Sequence, residues 1–128
     1  MTRNPGITGA LILVLFTVVL LQVLPGEQAL DFLAAVLVAA GAVYIGAALA
    51  GDDNSTLALE VIAGVAFIAV ALLGRWYAVG ILAWGYFAHG AWDFLHHRGI
   101  AGANAGKTFP VLCWVYDWTI AVVILLWF

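Results

Sequence analysis

Five apolar runs, parted by short polar or glycine-containing breaks, take up almost the whole chain. The first is Ile7 to Leu24, closed by Pro25 and Gly26. The second covers residues 29–50 and ends at the loop "GDDNS". The third covers 56–73 and breaks at Gly74 and Arg75. The fourth covers 76–97, and the fifth runs from Pro110 to Phe128. A helix needs about 20 apolar residues to cross a bilayer, within a range of about 17–25. The pattern therefore predicts an all-α integral membrane protein, a bundle of five transmembrane helices forming a single domain over residues 1–128. Arg3 before the first run suggests a signal peptide. That run is too long for an h-region and lacks a small-x-small cleavage site, so a retained helix is expected. Pro110 suits a first helical turn, where its missing N–H is not needed.

Finer features predict how the helices sit. Ala34, Ala42, Gly46 and Ala50 lie four or eight apart, a small-residue ridge on which a second helix can approach closely. The partner is either a helix of the same chain or one of a second copy in a homo-oligomer. Trp76, Tyr77 and Trp127 stand at helix ends, where aromatic belts form.

Composition agrees with the pattern. Only 9% of the 128 residues are charged, against about 25% in soluble domains. A net charge of −3 gives no reason to expect nucleic acid as a partner. Cys113 is the only cysteine, which excludes an intrachain disulfide. Five spans put Arg3, Arg98 and Lys107 on one side and Arg75 on the other. The positive-inside rule then places the N-terminus in the cytoplasm and Phe128 outside.

The intramembrane polar residues cluster by depth. "HGAWDFLHH", residues 89–97, contains all three histidines. At about 1.5 Å per residue, Asp93 lies about 6 Å deeper than His97 and His89 about 12 Å deeper. Glu60 near the start of the third helix, Tyr44 near the end of the second, and Cys113 and Asp117 early in the fifth fall in the same half of the bilayer. With His89 at zero, Asp93 falls at about 40°, His96 at about −20° and His97 at about 80°, so one face carries all four. Buried carboxylates need a counter-charge, and imidazole favours zinc, iron or copper. Carboxylate and imidazole together are similar to the inward ligand sets of helical-bundle metal sites. A divalent transition metal, zinc or iron, is expected on His89, Asp93, His97, Glu60 and Asp117, in a pocket open to the cytoplasmic side. Tyr44 and His96 are the candidate catalytic or supporting groups. Of the adjacent pair, His97 extends the i, i+4, i+8 ladder from His89 through Asp93. It is the expected ligand, with His96 behind it or at the pocket mouth.

"AGANAGKT", residues 101–108, fits a loose phosphate-loop pattern. Such a loop needs a preceding strand and a following helix in a soluble βαβ unit; here a membrane helix precedes it and Pro110 follows. No nucleotide is expected. The segment reads as a flexible loop, suited to cover the site.

The histidine block resembles the H-x-x-W-D-x-x-H-H stretch of an uncharacterised family of small bacterial integral membrane proteins. "GAVYIGAAL" around Tyr44, "LALEVIAG" around Glu60 and "CWVYD" at 113–117 extend the resemblance over most of residues 34–125. The last departs from the family's C-x-x-C-D, with Tyr116 at the second cysteine. The resemblance implies a bacterial plasma (inner) membrane location, a shared fold, and a shared site at Tyr44, Glu60, His89, Asp93, His97 and Asp117. It implies no activity. More distantly, the histidine spacing is similar to that of membrane fatty-acid hydroxylases and desaturases. Three functions compete: a metal-dependent enzyme acting on a lipid or apolar small molecule, a cation or proton transporter, and an accessory subunit locked by a polar cluster.

Overall fold

The computed structural model describes residues 3–128, which form five α-helices and no strand. The helices are α1 (Pro5–Val23), α2 (Gly26–Leu49), α3 (Asn54–Trp76), α4 (Val79–His97) and α5 (Thr108–Trp127). Local chemistry explains their starts. Asn4 caps α1 by accepting from the Gly6 amide at 3.0 Å, with Pro5 in the first turn. Asp53 caps α3, accepting from the Ser55 amide and from the Ser55 and Thr56 hydroxyls. These bonds, that of Ser55 foremost, hold its carboxyl below the ordinary value.

Four helices, α1, α2, α3 and α5, are long and apolar enough to cross a membrane. The expected fourth span, α4, is 19 residues long but is not among them. It carries the histidine block and buries more residues than any other helix. α4 packs on α5, α3 and, over a shorter length, α2. Surrounded in this way, it needs less outward-facing apolar surface than its neighbours. α1 packs on α5 and barely touches α2, although only Leu24 and Pro25 separate the two helices.

Two sequence expectations change. α3 does not stop before Gly74 and Arg75 but continues to Trp76, and α4 starts at Val79. Gly74 is a contact point: a Cβ there would lie 2.6 Å from the Leu82 backbone nitrogen, so its absence lets α4 fold back tightly on α3. Arg75 is held by Glu27 at 2.7 Å and by Asp31, tying α3 to the start of α2. The small-residue ridge of α2 is also not the face that packs against the other helices of this chain. Ala34 is buried, but Ala42, Gly46 and Ala50 are exposed, and nothing approaches Gly46. The close crossing lies one face round, at Gly41 against Gly64 of α3, where a Cβ on Gly64 would stand 2.8 Å from the Gly41 carbonyl oxygen. Phase decides this: Leu33, Leu37, Gly41, Tyr44 and Ala48 form the inward stripe.

Gly74→Val is expected to destabilise the protein by about 1–3 kcal/mol through overpacking against Leu82. Unfolding in mild detergent, with Gly80→Val as control because nothing lies near Gly80, measures it.

Candidate metal centre and its covering loop

The bundle brings the polar residues of α4 against three other helices. Gly90 sets the approach of α5: a Cβ there would meet Asp117 Cβ at 3.3 Å and run into the Trp118 ring. On this side, Trp118 Nε1 donates to the Phe87 carbonyl at 3.1 Å. Asp117 thereby reaches His89. Its Oδ2 stands 2.6 Å from His89 Nδ1, while Asp93 Oδ2, one turn along α4, stands 3.1 Å from the same nitrogen. The other oxygen of Asp93 accepts from the Tyr44 hydroxyl at 2.6 Å. All three clustered residues are at most 2% exposed. They can each offer a ligand atom, all within 4.8 Å of one another. Two atoms in this group have no hydrogen-bond partner, His89 Nε2 and Asp93 Oδ2. The His89 ring meets the Phe67 ring of α3 edge-on, with centroids 4.8 Å apart.

A second buried pair lies nearer the loop end. His96 Nδ1 donates to the Trp92 carbonyl at 2.7 Å, and Nε2 faces Glu60 Oε1 at 2.5 Å. With Nδ1 committed to a carbonyl, the His96–Glu60 contact holds a proton between its partners. Glu60 also accepts from the Ala103 amide at 2.9 Å and from Trp92 Nε1 at 3.3 Å. Tyr44 joins the two groups. Its ring stacks on His96 with centroids 3.7 Å apart while its hydroxyl bonds Asp93.

The placement of the adjacent histidines reverses the sequence expectation. His96 turns inward and is 8% exposed, whereas His97 is exposed at the bundle end among Arg3, Lys107 and Thr108. The neighbours of α4 explain it. Gly85, at about −40° on the same wheel, touches Val70 of α3 and Leu37 of α2; Gly90, at about 100°, faces α5. His96, at about −20°, therefore points to α2 and α3. His97, at about 80°, points to the side of α5, which begins only at Thr108. Glu60 also stands apart from the three-residue group, paired with His96. Cys113 is partly buried on α5.

The expected open mouth is roofed. α4 ends in a Schellman turn, with Ile100 donating to the Leu95 carbonyl at 3.0 Å and Gly99 at φ +66°. The loop then crosses over the His96–Glu60 pair. Gly102 has φ +88°, and a Cβ there would collide with His96 Nε2 and Glu60 Oε1. The glycines and the covering role are legible in the sequence, but the latch is not, because the Ala103 amide that Glu60 holds is backbone and leaves no side-chain signature. Shallow cavities of about 360 and 380 Å³ flank the loop, and neither is lined by His89, Asp93 or Asp117.

The chain belongs to the family of unknown function DUF6010, which it matches over residues 6–127. No curated protein and no solved structure matches it.

Gly102→Val is expected to lift the loop, since the new side chain meets both steric overlap and an unfavourable φ. Hydrogen exchange at the Ala103 amide should lose its protection. His96→Gln should likewise destabilise the protein, while His97→Gln should stay within about ±0.5 kcal/mol, as surface substitutions do.

Proposed function

We propose that this DUF6010 protein crosses the bilayer with all five helices and holds a divalent transition metal, zinc or iron, at His89, Asp93 and Asp117. The bound metal would serve chemistry on a lipid or another apolar small molecule. The observation that carries this reading is the buried imidazole nitrogen approached by two carboxylates. With both carboxylates ionised, an imidazolium leaves one net negative charge out of water. A divalent cation in place of the Nδ1 proton, with neutral imidazole, brings the group to zero. An uncompensated buried charge is costly enough to make the second arrangement the favourable one. Three protein ligands also leave coordination positions open, as in catalytic rather than structural sites. Bound there, zinc would activate water by lowering its pKa, and iron would support oxygen chemistry. Tyr44 would orient Asp93, the outer partner that ligating carboxylates commonly have.

The same features support a site entered from one side. The polar network stops at His89 and Asp117; beyond it the core is Leu33, Leu37, Leu82, Ile120 and Ile124. The Tyr86 hydroxyl in that half is taken by the Leu33 carbonyl at 2.6 Å. A transporter needs a polar path through this region. The charge distribution supports a cytoplasmic N-terminus, and the membrane in this reading is a bacterial inner membrane. Arg3, Arg98 and Lys107 lie at the loop end, and the one cation at the opposite end, Arg75, is paired with Glu27 and Asp31.

Protein purified in mild detergent should carry near-stoichiometric zinc or iron by elemental analysis. His89→Ala and Asp117→Asn should lose it, and His97→Gln should keep it. Tyr44→Phe should weaken metal binding by about 10–100-fold, the usual effect of removing an outer-shell partner. Full metal content in both His89→Ala and Asp117→Asn would overturn the assignment, as would a protein that binds neither ion on titration.

A further inference from the structure

α1 leans on α5 and leaves α2 almost untouched. The hydroxyls of Thr17 and Tyr116, 2.9 Å apart and buried, pin α1 to α5. The seam between α1 and α2 opens into a groove of about 320 Å³ whose walls include Phe16, Val36, Ala40 and Leu112 and whose lining also includes Cys113 and the buried Asp117. The lining is otherwise apolar apart from Thr17 and Tyr116, which satisfy each other. Asp117 is thus a shared wall, bonded to His89 on one side and closing the groove on the other.

We propose that this groove seats one acyl chain of a bilayer lipid and delivers it to the Asp117 side of the metal centre. This assignment rests on the reading of His89, Asp93 and Asp117 as a metal site, and it names the substrate class of that site. Three observations select the occupant. The groove opens between two helices whose outer faces carry large apolar side chains, with Phe16 61% and Val43 40% exposed, so in a membrane it faces hydrocarbon. Water along its apolar walls would lack the two to four polar partners it needs, and a charged ligand would be stripped of hydration without compensation. Its volume is at the low end of the roughly 300–1,000 Å³ of small-molecule sites, which suits one extended chain rather than a bulky ring system. Within the lining Asp117 is 2% exposed against 61% for Phe16, so a chain entering from the lipid meets Phe16 before Asp117.

The test uses the full-length, metal-loaded protein in phosphatidylcholine nanodiscs doped with a phosphatidylcholine that carries a diazirine on one acyl chain. After irradiation, adducts are mapped by mass spectrometry. They should concentrate on Val36, Ala40, Leu112 and Cys113, severalfold over Ile62 and Leu126, which are 70% and 74% exposed on the outer surface. Ala40→Trp, which fills the groove, should abolish the enrichment and leave metal content unchanged. Leu13→Trp, from the α1 wall, provides the same block should the first variant fail to fold. Even labelling of groove and outer surface would overturn the proposal, as would enrichment that survives both substitutions. Metal is measured on every sample. Enrichment in a protein that binds no metal would keep the lipid groove and remove the metal reading; bound metal with even labelling would do the reverse.

Discussion

The carboxylates of Asp93 and Asp117 lie out of water in a bundle whose other contents are largely apolar, and each leans on the same nitrogen of His89. A carboxylate at such a depth is tolerated only with a partner in good geometry. That requirement organises the rest of the structure. Asp93 and His89 are one turn apart on α4, so α4 has to be the inner helix. Asp117 comes from α5, so α5 has to approach α4 closely, which the bare surface of Gly90 allows. Tyr44 comes from α2 and supplies the remaining donor to Asp93.

The two ends of the bundle solve different problems. At the loop end, Glu60 and His96 bond each other, and Glu60 also latches the Ala103 amide. The glycine at 102 lets backbone take the place of a side chain directly over the pair. At the opposite end, Arg75 gathers Glu27 and Asp31 on the exposed rim. Such an exposed pairing is screened by solvent and adds little stability, so it fixes the α2–α3 arrangement more than it stabilises it. Between the ends, the half of the core away from the loop is closed by aliphatic packing.

This asymmetry links the fold to the proposed chemistry. The loop roofs the polar group at one end of the bundle, while the α1–α2 seam reaches Asp117 from the flank, which in the proposed bilayer setting would face lipid. A site with those two boundaries is suited to an apolar substrate meeting a polar centre. The helix that makes the seam, α1, is attached to the bundle mainly through α5. The opening therefore costs no contact that the α4 cluster depends on.

The runs of apolar residues alone determined five helices, because 17–25 apolar residues between breaks leave a chain in lipid few other ways to satisfy its backbone. Depth and helical phase also brought His89, Asp93, Asp117 and Tyr44 into one layer, since a fixed rise and a fixed angle per residue suffice for residues in helix interiors. Those rules lose force at helix ends and between helices. They did not separate His96 from His97, because which of two adjacent residues turns inward depends on where α2, α3 and α5 stand around α4. They mark Ala42 and Gly46 as small without showing that Gly41 is the position that meets α3 within the chain, because composition does not say which face meets a neighbour. They ended α3 at Gly74, where a helix breaker by propensity turned out to be a contact by packing. The backbone latch from Ala103 to Glu60, and the gap between α1 and α2, were decided by tertiary structure alone, because each depends on distances between segments that are not encoded in any local pattern.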